Sequence, residues 1–356
     1  MGRDARLMTP VSPSRAVVAD VARDARARIV ALLAARTGDL ELAEDAVGDA
    51  FERALRTWGA SGVPDNPEGW ILTVARNRLR DVLGSAARRT SVPLEADGLW
   101  DTTDDGTDRR DEIPDKRLEL LFACAHPAID AAVRTPLMLQ VVLSFDAARI
   151  ARAFALEPAA MAQRLVRAKR RIRDAGIPFA LPRREDMRDR VDAVLEAIYG
   201  AYALVWLDQG DDPGTSLADE ARWLAVLTAT LLDDDPEAWG LAALLTLAQS
   251  RAPARTGDAW APLDEQDPAL WSRALIDEGE ALLRRASALG TPLGRFQLEA
   301  AIQSVHCDRA RTGVLDTRTL LTLYRGLFAV APTAGAREAL AALERRATRA
   351  DEADSV

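Results

Sequence analysis

Six basic side chains within ten residues form the densest cluster in this chain that could bind an anion. They are Arg164, Arg167, Lys169, Arg170, Arg171 and Arg173. Guanidinium and ammonium groups bind phosphate oxygens, and several of them on one helix neutralise part of a nucleic-acid backbone. The cluster therefore predicts a helix that binds DNA.

The residues before this cluster predict the elements that would position it. Residues 145–173 have the pattern of two short helices with a tight joint, and Pro158 fits the first turn of the second helix. Apolar residues recur at mostly three- and four-residue steps, which predicts a small buried core: Ile150, Phe154, Leu156, Met161, Leu165 and Ala168. Such a pair suits insertion of the second helix into a major groove. An ordinary helical hairpin with a solvated basic face remains the alternative.

The charge of the chain is divided unevenly along its length. The net charge of -9 over 356 residues argues against nucleic acid, but residues 149–190 alone carry +7. Residues 91–115 carry -7, and residues 191–356 carry -11. The positive charge is thus concentrated where the two-helix pattern lies, as expected of a DNA-binding module.

Acidic residues line one side of a predicted helix over residues 39–55. Glu41, Asp45, Asp49 and Glu52 follow each other at steps of four, four and three. The opposite side is apolar and is predicted to be buried: Ala43, Ala46, Val47, Ala50, Phe51, Ala54 and Leu55. A solvated face is the commonest explanation of an acidic row, but a basic partner protein would bind the same row.

A second helix in this part of the chain combines an aromatic with arginine and asparagine. It is predicted to begin at Asn66–Pro67, where asparagine caps and proline takes the first helical position. Its outward side carries Trp70, Arg76, Asn77 and Arg80, behind the Gly/Pro/Asn segment 59–66. Side chains of these types hold unstacked bases and their phosphates. A core position at the start of the helix is the alternative for Trp70.

Composition narrows the class of protein. The chain is 48% hydrophobic but only 5% aromatic, and alanine and leucine are abundant, so an all-α fold is expected. No apolar run is long enough to span a membrane, and the first residues do not resemble a secretory signal, so we expect a cytoplasmic protein. Two cysteines fit a reducing compartment.

Little in the sequence points to catalysis. No phosphate-binding glycine loop, nucleophile elbow or paired catalytic carboxylates stand out, so we predict that the chain is not an enzyme. Cys124 with His126, and His306 with Cys307, could hold zinc only if the two pairs met in space. Neither spacing is standard for zinc, so we predict no metal site and no cofactor.

The patterns divide the chain into four segments. Two helical blocks over 16–90 and 116–180 are joined by an acidic, glycine-containing linker over 91–115, and a helical extension covers 188–350. In the extension, Asp-Pro, Thr-Gly and Thr-Pro turns separate predicted helices over 188–207, 217–231, 236–249, 267–288, 295–310, 317–329 and 334–348. Their lengths and short joints predict stacked helical hairpins, as in an α-solenoid.

Taken in order, these motifs resemble an extracytoplasmic-function sigma factor of the sigma-70 family. The resemblance is carried by DLELAEDAVGDAFERAL (39–55), NPEGWILTVARNRLRDVLGSAARR (66–89) and residues 145–173. They resemble the region 2 helix that docks on RNA polymerase, the helix that recognises the −10 element, and the helix-turn-helix of region 4. IPDKRLELLFACAHPAID (113–130) and fragments after residue 238 are similar to a subclass with a tetratricopeptide-like C-terminal extension.

The resemblance implies a role for each motif. Asp45, Asp49 and Glu52 would bind the β′ clamp helices of core RNA polymerase. The β subunit of the same enzyme would be a second partner. Trp70, Arg76, Asn77 and Arg80 would hold −10 bases. In region 4, Gln163 and Arg167 would contact −35 bases, whereas Arg164, Lys169 and Arg170 would contact phosphates. The extension would bind protein and regulate the sigma core in cis, either as a mask or as a required module.

Some positions depart from the family pattern. Gly48 stands where relatives usually carry glutamine, and Ala155 replaces a glycine common in the helix-turn-helix joint. Small residues at 159, 160 and 162 leave few side chains for −35 recognition. Two other classes stay open: a stand-alone helix-turn-helix regulator, and an enzyme hidden in the C-terminal half. The acidic row favours a sigma factor over the first, and scarce histidine and cysteine argue against the second.

Overall fold

The fold is all-α, as the composition predicts. The computed structural model describes residues 13–90, 117–180, 182–207, 215–254, 263, 266–290 and 292–354. Within these ranges the chain forms sixteen α-helices and two 3-10 turns, and no strand. The acidic linker predicted over 91–115 lies outside the described residues.

The first nine helices lie between residues 13 and 207. Their bounds are α1 Pro13–Asp24, α2 Arg26–Thr37, α3 Leu40–Ser61, α4 Pro67–Thr90, α5 Arg117–Cys124, α6 Ala131–Val141, α7 Ala147–Ala153, α8 Pro158–Asp174 and α9 Arg184–Leu207. The remaining helices are α10 Thr215–Leu231, α11 Pro236–Gln249, α12 Arg273–Ala288, α13 Arg295–Cys307, α14 Arg309–Thr312, α15 Thr317–Val330 and α16 Ala334–Asp354. The 3-10 turns are Ala252–Ala254 and Pro268–Leu270.

The chain divides into two compact units. The first comprises residues 1–197 and the second residues 198–356, so the division falls inside α9. The first half of α9 contributes Val191, Val194 and Leu195 to the buried residues of the N-terminal unit.

Side-chain caps begin four helices of the N-terminal unit, and the one at Asn66 confirms the sequence prediction. The Asp39 carboxylate accepts from the N–H of Leu42 at 3.1 Å, and Asn66 accepts from Gly69 at 2.8 Å. Asp130 and Asp146 cap α6 and α7 in the same way. Each cap satisfies an N–H group that the first turn of a helix leaves without a partner.

The N-terminal unit is held together by α5. Every residue of this short helix except Glu119 is buried, which explains its almost unbroken apolar sequence. The helix packs on α2 on one side and on α6 on another. The helices α1 to α4 therefore share a core with α5 to α8.

The structure extends some predicted helices and shortens others. The segment predicted to break after residue 58 remains helical, because α3 continues through Gly59 to Ser61. In the C-terminal unit, α12 begins at Arg273, six residues after the predicted start, and Pro268–Leu270 forms a separate 3-10 turn. A proline favours the first residues of a new helical segment, so the chain restarts there.

The C-terminal unit is built around α11. Twelve consecutive residues of this helix, Ala238 to Gln249, are buried, so it is covered on all sides. The helices α10, α12 and α13 pack against it. A helix that is apolar all round has to lie inside a core, which fits the sequence LAALLTLA.

Two glycines allow these helices to approach closely. A Cβ at Gly240 would lie 2.7 Å from the backbone nitrogen of Gln297, and a Cβ at Gly279 would lie 2.6 Å from Cγ of Leu247. Glu237 of α11 stabilises the contact with α13, because its carboxylate accepts hydrogen bonds from the N–H groups of Phe296 and Gln297 at 2.9 and 3.0 Å. Burial raises the pKa of Glu237.

Among the described residues, no helix is both long enough and apolar enough to cross a membrane.

We expect Gly240→Ala to destabilise the C-terminal unit by about 1–3 kcal/mol, because a methyl group has no room against the α13 backbone. Gly326→Ala is the matched control, since its Cβ would lie at an ordinary 3.5 Å from Leu298. That change removes a mid-helix glycine and should stabilise by about 0.5–1 kcal/mol. Urea unfolding of both variants measures the difference, and equal effects of the two substitutions would contradict the packing of α11 on α13.

The loop between α5 and α6 is fixed by three basic side chains. His126 Nδ1 accepts from the N–H of Ala128 at 3.1 Å, so the ring is bonded as a neutral imidazole. Arg134 donates to the carbonyl of Ile129 at 3.0 Å, and Arg190 donates to the carbonyl of Phe122 at 3.2 Å. Burial lowers the pKa of His126 below its ordinary 6.5, and the charges of Arg190 and Arg134 lower it further.

This histidine should make the N-terminal unit less stable in mild acid. The pKa in the folded state lies below the unfolded value of 6.5, so the unfolded chain takes up a proton first. The neutral His126 side chain therefore stabilises the folded N-terminal unit fully above pH 6.5. This contribution to the free energy of unfolding is lost as the pH falls through the pKa of the folded state. His126→Asn keeps an acceptor for Ala128 but does not titrate. The free energy of unfolding should therefore fall less steeply below pH 6.5 in this variant, and identical slopes would refute the assignment.

Candidate nucleic-acid interface

The basic helix α8 is positioned by α7 and by a tight joint. Pro158 occupies the first turn of α8, as predicted, and Met161, Leu165, Ala168 and Ile172 form its buried side. The joint requires Ala155 to adopt a left-handed conformation with φ of 50°. This is the position where related sequences commonly have glycine, and a left-handed alanine costs on the order of 1 kcal/mol.

The prediction that Phe154 is buried is wrong. Its side chain is 39% exposed, because α7 ends at Ala153 and the joint turns the next residue outward. The core between α7 and α8 is filled instead by Phe145 and Ile172, which are 3% and 1% exposed. Arg149 lies over the Phe145 ring at 4.7 Å and covers its outer side.

One flank of α8 lines a cleft with the start of α6. The cleft has a volume of about 450 Å³ and is lined by Arg164, Arg167 and Arg171 together with residues 128–133. Arg171 Nε donates to the carbonyl of Ala128 at 3.3 Å, so this arginine is held across the cleft. Asp130 is the acidic residue of the lining, and its carboxylate accepts from the N–H of Ala132. The balance of charge in the cleft favours an anion.

The other flank of α8 faces the start of α3. Lys169 Nζ lies 2.5 Å from a carboxylate oxygen of Glu44, and the two side chains are only 10% and 14% exposed. Arg170 lies 3.9 Å from Glu41, and Arg173 lies 3.6 Å from Glu41 and 3.7 Å from Asp39. We call this set of contacts the α3–α8 contact. It joins a predicted DNA-binding helix to a predicted protein-binding helix.

The predicted −35 residues therefore fall into different environments. Gln163, Arg164 and Arg167 are exposed, the two arginines at the cleft. Arg170 is exposed beside Glu41, whereas Lys169 is buried with Glu44. The roles of all five stay predictions, and a phosphate contact by Lys169 requires that the side chain first leave Glu44.

The predicted polymerase-binding carboxylates lie on the exposed side of α3. Asp45, Asp49 and Glu52 are all exposed. Asp49 accepts from Arg78 Nε of α4 at 2.6 Å, and Glu52 forms an ion pair with Arg56 one turn later. Leu55, predicted to be buried, is 51% exposed on the same helix, so an apolar side chain accompanies the acidic row.

The helix α4 presents the predicted −10 residues along its length. Trp70 is half-buried and stacks edge-on with the buried Trp58, with 5.3 Å between ring centroids. Asn77 and Arg80 are exposed, and the Asn77 side-chain oxygen accepts from Arg80 at 3.3 Å. Arg76 is half-buried. Trp70 is thus both a packing residue and an accessible ring.

Sequence reasoning missed Glu44. Glu44 lies outside the acidic row, and its burial depends on a partner 125 residues later. A signal for Lys169 was present, however: it follows Leu165 by four residues and precedes Ile172 by three, which places it at the edge of the buried side. A lysine at such a position needs a partner, because burying an unpaired charge is costly.

Cys124 is fully buried beside the α3–α8 contact. Burial raises the pKa of its thiol, and the neighbouring Lys169 and Glu44 affect it in opposite directions. The thiol is therefore protonated and unreactive at neutral pH. Within the described part of the chain, no three His, Cys, Asp or Glu side chains cluster as metal ligands.

Comparison with known proteins assigns two parts of the chain. Residues 21–89, which contain α2, α3 and nearly all of α4, match the family model for sigma-70 region 2. Residues 190–287 match a family of unknown function, DUF6596. No solved structure matches the chain.

A curated relative extends this assignment over most of the sequence. The chain is 37% identical over 308 residues to an uncharacterized protein, R00370, of Rhizobium meliloti (strain 1021). The match covers 83% of this chain and 71% of the relative. The chain therefore belongs to one family with the Rhizobium protein, and its residues 21–89 are similar to sigma-70 region 2.

Proposed function

We propose that this protein is an extracytoplasmic-function sigma factor that directs core RNA polymerase to specific promoters. The observation that carries the proposal is the sigma-70 region 2 match over residues 21–89, followed in the same unit by a basic helix-turn-helix. A stand-alone helix-turn-helix regulator would have no use for region 2. The match therefore favours a sigma factor over that alternative.

The polymerase contact is assigned to the exposed acidic side of α3. Asp45 is exposed, Asp49 and Glu52 have arginine partners at the surface, and Leu55 adds an exposed apolar side chain. The acidic charges attract a basic partner helix from a distance. An exposed leucine contributes to the binding free energy when the two surfaces meet and bury it. The β′ clamp helices are the proposed partner, with β as the second contact of the sigma core.

The −10 element is assigned to α4. Asn77 and Arg80 form an exposed polar pair two turns after Trp70, an aromatic residue that is only half-buried. We expect Trp70 and Asn77 to hold extruded bases, and Arg76 and Arg80 to bind phosphates.

The −35 element is assigned to α8. Gln163 and Arg167 are exposed in the half of the helix that follows the joint, where a recognition helix contacts base edges. Arg164 and Arg171, at the cleft with α6, suit phosphates. Lys169 and Arg170 bind further phosphates when this side of α8 is not in contact with α3.

The C-terminal unit is proposed as a regulatory module that binds protein and no DNA. Residues 191–356 carry a net charge of -11, which repels a phosphate backbone. The helices α10, α12 and α13 all pack against α11, and helices that stack in this way are proposed to form a tetratricopeptide-like module. Such a module regulates the sigma core in cis.

Transcription from a random-sequence template library tests the function. We expect core polymerase to give sequence-selective transcripts only with this protein, and Asp45→Lys with Asp49→Lys to weaken core binding by about tenfold or more. Reversal of Asp277 and Glu338, two exposed acids of the C-terminal unit, is the control of equal charge. The proposal fails if wild-type protein yields no selective transcript, and the docking face is wrong if both double variants behave alike.

Removal of the C-terminal unit tests its regulatory role. Truncation after Ala197 keeps the buried residues that α9 gives to the N-terminal unit, whereas a cut at Pro182 would remove Val191, Val194 and Leu195. We expect transcription to be lost while helicity of the remaining unit is retained, because the resemblance to a subclass with such an extension implies a required module. Raised transcription would identify the module as a mask, and unchanged transcription would refute regulation.

A further inference from the structure

We propose that the cleft between α6 and α8 binds a free nucleotide, with its linked phosphate groups on a row of arginines. The cleft has a volume of about 450 Å³, and it is lined by Arg164, Arg167 and Arg171 of α8 and by residues 128–133 around the start of α6. We call it the α6–α8 cleft. The binding of a nucleotide there does not depend on the proposed function, whereas its effect on promoter recognition rests on that function.

The arginines of the α6–α8 cleft are available to an anion. The cations on the other flank of α8, which are Lys169, Arg170 and Arg173, all lie beside carboxylates of α3. Arg164 and Arg167, in contrast, form no ion pair within the part of the chain that the structure describes. Guanidinium groups that face a concave surface without a carboxylate partner attract phosphate oxygens, which they bind through paired N–H groups.

The spacing of these arginines fits linked phosphate groups. Arg164, Arg167 and Arg171 follow each other at steps of three and four residues, so they form one row along α8 with neighbours about 5–6 Å apart. Arg171 Nε donates to the carbonyl of Ala128 at 3.3 Å, which holds this guanidinium across the cleft. A guanidinium has further N–H donors beside Nε, and these remain for a ligand. A chain of linked phosphates therefore spans the row, whereas a single phosphate reaches only part of it.

The rest of the cleft suits the base of a nucleotide. Five of the nine lining residues are apolar, namely Ala128, Ile129, Ala132, Val133 and Ala168. A flat base packs on such a surface, and guanidinium planes stack on bases as well. Small-molecule sites have volumes of about 300–1,000 Å³, which includes the volume of this cleft. A nucleotide therefore fits the lining better than an inorganic anion does.

A DNA duplex does not fill the α6–α8 cleft. The major groove is about 12 Å wide and holds one α-helix, whose diameter with its side chains is about 10–12 Å. The helix α6 packs on α8, so it stays outside a groove that α8 occupies. A DNA strand that passes α8 meets the arginines from the rim of the cleft and does not enter between the two helices.

A bound nucleotide would oppose DNA binding by α8. Its phosphates would occupy Arg164 and Arg167, which are assigned to the −35 element, and would place negative charge next to the DNA backbone. Free nucleotide and promoter thus compete for the same side of α8. Through this cleft, promoter recognition would respond to the concentration of a small molecule.

Calorimetric titration of the full-length protein with ATP, in magnesium-free buffer at physiological ionic strength, tests the site. We expect saturable binding of ATP that is tighter than that of tripolyphosphate, because only ATP carries a base for the apolar lining. Adenosine, which lacks phosphates, should bind far more weakly than ATP. Absence of saturable ATP binding would overturn the proposal, and so would tripolyphosphate or adenosine binding at least as tightly as ATP.

Two matched pairs of variants locate the site. Asp130→Asn removes the carboxylate of the cleft but keeps a side chain that caps α6, so ATP should bind several-fold more tightly. Asp146→Asn makes the same change at the cap of α7, outside the lining, and should have little effect. Ala132→Glu places a carboxylate in the cleft and should weaken ATP binding by about tenfold. Ala131→Glu, at the adjacent exposed position outside the lining, is its control. Equal effects within either pair would show that ATP responds only to overall charge, which would overturn the site.

Fluorescence anisotropy of a labelled random-sequence duplex tests the competition with DNA. We expect ATP to weaken duplex binding by the wild-type protein at constant ionic strength, and to have much less effect on Ala132→Glu. An unchanged duplex affinity at saturating ATP would refute the competition. If core polymerase gives no selective transcript with this protein, the proposed function has failed, while calorimetry still decides whether the cleft binds a nucleotide.

Discussion

The ion pair of Lys169 with Glu44 couples two blocks of the N-terminal unit that would otherwise be separate helical modules. Its nitrogen and oxygen lie 2.5 Å apart with both side chains nearly buried, and the residues are 125 positions apart in the chain. Around it, Arg170 and Arg173 add weaker, more exposed pairs with α3. Exposed pairs contribute little to stability, so the buried pair and the α2–α5 packing define how the blocks meet.

A different constraint shapes the C-terminal unit. In this unit the close packing of helices, rather than ion pairing, determines the arrangement. The helix α11 is covered on all sides, and Gly240 and Gly279 permit contact distances that a methyl group would prevent. Glu237 then caps α13 and fixes its start against α11. A unit organised in this way tolerates few substitutions in its core, because even one added methyl group would meet a neighbouring helix.

Local physics was sufficient to predict the all-α fold, the cap at Asn66, the position of Pro158 in the first turn of α8, and the apolar side of that helix. It failed where the outcome depended on distant residues or on a single joint. Phe154 follows the periodicity of a core residue, but the left-handed Ala155 turns the chain before the period is completed. The burial of Lys169 depends on α3, which no pattern within α8 encodes. The exposure of Leu55 has a similar origin, since the neighbours that could cover it are set by tertiary packing.

The enclosure of α11 has a consequence for synthesis on the ribosome. This helix leaves the exit tunnel before α12 and α13, which supply most of its cover, because α13 ends at Cys307. At about 5–20 residues per second, the intervening chain takes several seconds to appear. During that interval an almost uncharged helix is exposed to water and to other nascent chains. Chains that stop or stall between α11 and α13 would leave this apolar helix without most of its cover, so we expect aggregation to be most pronounced at that stage of translation.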